Sequence, residues 1–129
     1  MGLDQFAYKT KLKLSKPVDL QDEVYQTDES SQEFFYWRKH PNLQGWMEKL
    51  YFKKGGNRTP FNCAPLELVQ EDIDNLVNDI LDSNLPRTTG FFFGESNAEE
   101  EQEKTDLDFC KKASDAIKNG YKVFYDSWW

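Results

Sequence analysis

From Phe6 to Leu14 the chain alternates, with Phe6, Tyr8, Thr10, Leu12 and Leu14 on one side and Ala7, Lys9, Lys11 and Lys13 on the other. A period of two predicts a half-buried strand, and Pro17 ends it. Residues 19–33 carry Asp19, Asp22, Glu23, Asp28, Glu29 and Glu33 with Ser30 and Ser31, the composition of an exposed acidic loop. The run Phe34-Phe35-Tyr36-Trp37 then leads through Arg38 and Lys39 to His40-Pro41, where proline suits the first turn of a helix. Leu43, Trp46, Met47, Leu50 and Tyr51 keep the spacing of one buried helical face until Gly55-Gly56 stops it.

Pro65 lies early in the segment 61–69, so a strand there is predicted to be short or at a sheet edge. Ile73, Leu76, Val77, Ile80 and Leu81 form the stripe of a second helix, with Glu71 and Asp72 at its positive end and Ser83-Asn84 with Pro86 beyond its last turn. Gly90-Phe91-Phe92-Phe93-Gly94 reads as a short buried strand. Acids dominate 95–106, which predicts a second mobile loop. Thr105 with Asp108 resembles a capping box opening a third helix, whose inner face is Phe109, Cys110, Ala113, Ala116 and Ile117 and whose stop is Gly120. The segment 121–129 has strand residues throughout. The elements define an α+β fold: a small, mainly antiparallel sheet packed by about three helices, in a single domain over 1–129.

At 129 residues, with 38% hydrophobic and 16% aromatic content, the chain can build one core. Sixteen basic against twenty-three acidic side chains give a net charge of −7, which disfavours nucleic acid as a partner. Lys9, Lys11 and Lys13 alternate along one stretch and Lys49, Lys53, Lys54 and Arg58 cluster in another, but neither group is dense enough to define a basic patch. Cys63 and Cys110 show no metal or disulfide spacing, which points to a reducing compartment. The opening residues lack the pattern of a secretion signal and no apolar run approaches the ~20 residues that span a bilayer, so the expectation is a soluble, cytoplasmic protein away from membranes. No metal or cofactor is implied.

Catalytic residues cannot be picked out. His40 is the only histidine. With Arg38 beside it and Trp37 as a stacking face it forms a candidate cationic site for an anionic ligand; the alternative is a helix entry whose charges face water. Arg87 and Thr88, ahead of Thr89-Gly90, offer a guanidinium and a hydroxyl to a phosphate or carboxylate, or simply turn the chain. Asp4 and Asp126 are the two acids set among apolar and aromatic neighbours. Trp128 and Trp129 are unfavourable in water side by side and are expected to pack on this domain, on a second copy or on a ligand.

Gly2-Leu3-Asp4, Tyr36-Trp37-Arg38-Lys39 leading to Trp46, Leu85-Pro86 followed by Gly90-Phe91-Phe92-Phe93-Gly94, and Tyr125-Asp126-Ser127-Trp128 occur in that order. Together they resemble a family of small uncharacterised proteins of bacteriophages, including phages of cyanobacteria, and of some bacteria. Gln5 stands where many of those relatives have methionine. Some of them carry a phosphoglycerate kinase label, which does not suit this chain, since that enzyme has two domains and about three times the length. The resemblance implies a phage-encoded accessory protein in the host cytoplasm and brings no catalytic residue. The leading expectation is therefore an interaction protein without catalytic activity, with a host or phage protein or a second copy as partner. The alternative is a binding protein or small enzyme for a small anionic molecule.

Overall fold

The structure is a computed structural model and describes residues 3–11, 17–18, 31–38, 40–86 and 99–129. Its elements run β1 (Asp4–Thr10), β2 (Ser31–Arg38), α1 (Pro41–Lys53), β3 (Leu66–Leu68), α2 (Gln70–Leu81), α3 (Glu99–Lys118) and β4 (Lys122–Trp128). The strands form one sheet in the order β2-β1-β4-β3, every neighbouring pair antiparallel. The fold is α+β, as its hydrophobic pattern predicts. β1 and β4 pair along their whole length, from Asp4 opposite Trp128 to Thr10 opposite Lys122. Distant segments of the chain thus form the two inner strands.

The three helices share a core with one face of this sheet. Ala7, Trp37, Leu66, Leu68, Val123 and Tyr125 supply the sheet side; Leu43, Met47 and Tyr51 of α1, Ile73, Leu76 and Ile80 of α2, and Phe109, Cys110 and Ala113 of α3 supply the helical side. Phe109 is the hub, with ring centroids 4.7 Å from Trp37, 5.5 Å from Phe35 and 5.9 Å from Phe34. Two consecutive phenylalanines reach the same ring because the register shifts between Ala7 and Tyr8. Ala7 faces Phe35 and Tyr8 faces Glu33, which leaves Phe34 as the extra residue of a bulge.

Several expectations need correction. The first strand begins earlier, at Asp4, and Lys11 already lies outside it. Its helix-covered side is the Gln5 and Ala7 side, whereas Phe6 and Tyr8 sit half-buried on the opposite face. Residues 31–33, read as loop, extend β2, since an edge strand can leave Gln32 and Glu33 in water while its backbone pairs with β1. The acidic stretch 99–106 is the first half of α3. Glutamate, glutamine and lysine are strong helix formers, and Thr105 does not cap: its hydroxyl donates to the Glu101 carbonyl inside the helix, at 3.0 Å. Leu81, placed on the inner stripe of the second helix, is 58% exposed. Residues 19–30 and 95–98 of the expected loops and the strand expected at 90–94 lie outside the described residues.

Candidate functional site

The sheet has a second face, and it divides the candidate site residues into two groups. On this outer face the register aligns Arg38, Asp4 and Trp128 in one row and Tyr36, Phe6 and Asp126 in the next. A third row holds Glu33, Tyr8, Phe124 and Glu67. Aromatic rings step across it: Tyr36 to Phe6 at 5.2 Å, Phe6 to Tyr8 at 6.1 Å, and Tyr8 stacked on Phe124 at 5.0 Å. The face is closed at one end, where Phe124 and Thr10 are fully buried, and open at the other, where Tyr36 is 46% and Trp128 66% exposed. Asp4 of β1, Tyr36 and Arg38 of β2 and Asp126 and Trp128 of β4 therefore meet at the open end.

This face is electronegative. The Tyr36 hydroxyl donates to Asp4 Oδ1 at 2.5 Å, and that bond, more than burial, holds the phenol above its ordinary range. Burial, followed by the charges of Glu33 and Asp126, pushes Tyr8 up to about 12. Asp126 is itself buried and accepts the Ser127 backbone N–H at 2.8 Å. Arg38 is the cation at the corner, exposed and opposite Asp4.

The two tryptophans part company. Trp129 is tied to the loop after α1: its backbone N–H donates to Asn62 Oδ1 (3.0 Å), its carbonyl accepts from Asn62 Nδ2 (2.9 Å), and its indole donates to the Phe61 carbonyl (3.2 Å). Trp128, one residue earlier on a strand, must point to the other face, and it does so without cover.

Trp37 and His40 lie inside. His40 is 3% exposed, so the reading of a helix entry with its charges in water does not hold for it. Its Nε2 is 2.7 Å from Asp106 Oδ2, while Trp37 Nε1 and Gln102 Nε2 each donate to Oδ1 at 3.2 Å. Asp106 thus faces Nε2 of the imidazole, and among the described residues Nδ1 has no hydrogen-bond partner. Beside this cluster Gln5 accepts the His40 backbone N–H (2.8 Å) and donates to the His40 carbonyl and to the Tyr125 hydroxyl, both at 3.0 Å. Tyr125 donates to Gln44 Oε1, and the Gln44 amide reaches the Phe61 carbonyl and Ser127 Oγ, both at 3.0 Å. Apart from His40 Nδ1, these polar groups between sheet and helices are thus engaged with one another. Burial raises the Tyr125 phenol and pushes the Cys110 thiol, one turn from Asp106, up to about 12, which suits neither for nucleophilic work.

The anionic-ligand cluster drawn from the sequence is therefore not brought together in one cleft. Arg38 points to solvent from the outer face, His40 and Trp37 point into the core, and Arg87 and Thr88 lie outside the described residues. Gln5, Gln44 and Asp106 are the residues that reading passes over. Each stands on an otherwise apolar face: Gln5 between Leu3 and Ala7, Gln44 with Met47 and Tyr51, and Asp106 with Phe109, Cys110 and Ala113. A polar residue on a buried stripe is the available signal.

Among the described residues no helix is long and apolar enough to cross a membrane, and no group of three or more His, Cys, Asp or Glu is placed to hold a metal ion. Compared with known proteins, the chain matches no family model, no curated sequence and no solved structure.

Proposed function

We propose that this chain is an interaction protein, a phage-encoded accessory factor of the host cytoplasm, that docks a protein partner through the open end of its outer sheet face without catalysing a reaction. The observation that carries the reading is the exposure of Trp128 and Tyr36, at 66% and 46%, on a sheet face bordered by Asp4, Asp126 and Glu33. Exposed tryptophan and tyrosine are the side chains that anchor interfaces, because each buries a large area with few rotatable bonds. The surrounding carboxylates, in a chain of net charge −7, select for a partner segment that pairs Lys or Arg with aliphatic surface.

The test follows from the separate fates of the two tryptophans. Trp128→Ser removes an exposed ring and should leave thermal stability within about 0.5 kcal/mol of wild type. As an anchor, the same ring should contribute about 2 kcal/mol or more to binding. Affinity capture with wild type and with the variant should then differ by one or a few proteins whose recovery also falls with added salt. Identical recoveries from two equally stable proteins would remove the sheet face as the docking surface.

A further inference from the structure

At the open end of the outer sheet face the exposed rings and the carboxylates are interleaved. Asp4 stands in its row between Arg38 and Trp128, and Tyr36 reaches it from the next row, its hydroxyl donating to Oδ1 at 2.5 Å. Among the described residues nothing bonds Oδ2. On the premise that this face docks a protein, we propose that the partner presents an arginine here, its guanidinium pairing with Asp4 and lying against the rings of Tyr36 and Trp128.

Charge complementarity selects the cation. Among the described residues Asp4, Glu33, Glu67 and Asp126 stand on the outer face against Arg38 and Lys122, and Lys122 lies opposite Thr10 at the closed end. The bonds that Asp4 and Asp126 accept, from the Tyr36 hydroxyl and the Ser127 N–H, come from neutral donors and leave both carboxylates charged. Arg38 makes no ion pair among the described residues. Tyr8, raised first by burial, also feels Glu33 and Asp126, so the negative field extends along the face. An arginine suits this surface better than a lysine. The planar guanidinium stacks on a phenol or indole ring while its edge donates paired N–H groups to a carboxylate, whereas an ammonium is a strongly hydrated point charge. A second copy set face to face would oppose like charges.

The full chain would be titrated with the blocked peptide acetyl-Leu-Arg-Leu-amide and with its Lys and Gln counterparts, at low and constant ionic strength, following the Trp128 indole N–H resonance. A saturable shift is expected with the Arg peptide, weaker binding with the Lys peptide and none with the Gln peptide. In Asp4→Asn, which keeps an acceptor for the Tyr36 hydroxyl, the dissociation constant of the Arg peptide should rise about fivefold, the factor an ion pair at a half-exposed surface can supply. Glu71→Gln, an exposed acid of α2 on the helical side, should titrate as wild type. No saturable shift with the Arg peptide, equal or tighter binding of the Lys or Gln peptide, or an unchanged constant in Asp4→Asn would overturn the arginine assignment. Affinity capture with Trp128→Ser reads the docking face without the peptides, so the two proposals fail separately.

Discussion

Among the described residues Asp106 is the most deeply buried carboxylate, accepting from Trp37 and Gln102 and lying 2.7 Å from the His40 imidazole while 2% exposed. Replacing it with leucine leaves the buried Trp37 and His40 nitrogens without their acceptor, and a buried donor left unsatisfied costs about 1–3 kcal/mol. We expect Asp106→Leu to lower the urea midpoint by that equivalent, and Glu103→Leu, one helical step away, to change it little. Equal effects would mean that the network contributes no more than helix propensity does. His40 is conspicuous in the sequence because it is the only histidine, but its direction is not readable there. Its partner lies 66 positions away, and the neighbouring Arg38 suggests a shared cationic surface, whereas the strand ends at Arg38 and His40 already belongs to the helix entry. Gln5 is hidden for a similar reason: its partners are His40 and Tyr125, 35 and 120 positions along the chain.

The helix ends show how far local chemistry reaches. In α1 the Gly56 N–H bonds the Tyr51 carbonyl and the Gly55 N–H that of Phe52, with Gly55 at φ +104°. Gly120 repeats the arrangement after α3 at φ +89°, with Tyr121 bonded to Ala116. These are Schellman closures, and the glycines announce both. α2 closes in the same way through Asn84 to Asp79, but with Ser83 in the left-handed region at φ +55°. A side chain there is strained, so Ser83→Gly should stabilise the protein by about 0.5–1 kcal/mol, the relief exceeding the glycine's extra chain entropy; thermal melts against Ser83→Ala, which keeps the strain, check the sign. Starts and sides are harder to read than stops. Charge made 99–104 look like solvent-borne loop, although those residue types favour helix, and an alternating strand with Phe6 and Tyr8 on one side and Gln5 and Ala7 on the other gives no local sign that the smaller residues face the helices. That choice is made by packing, because only small or hydrogen-bonded residues fit beneath Trp37, Tyr125 and the α1 entry.

At the scale of the whole chain, the α+β class follows from amphipathic helices alternating with short aromatic strands, and the sequence shows both. Strand order does not follow, since β1 and β4 meet from opposite ends of the described chain. That pairing is what brings Asp4, Tyr36, Arg38, Asp126 and Trp128 onto one surface, so the candidate site could be named in the sequence only as pieces. The molecule is two-sided, with helices over one sheet face and an acidic aromatic field on the other, open where Tyr36 and Trp128 stand. Site-specific photocrosslinking tests this most directly, with a benzophenone side chain placed at Tyr36 on the open face or at Phe52, a comparably exposed position on α1. We predict a discrete adduct with a partner protein through position 36 and none through position 52. Adducts formed equally at both positions, or only from the helical side, would contradict docking on the sheet.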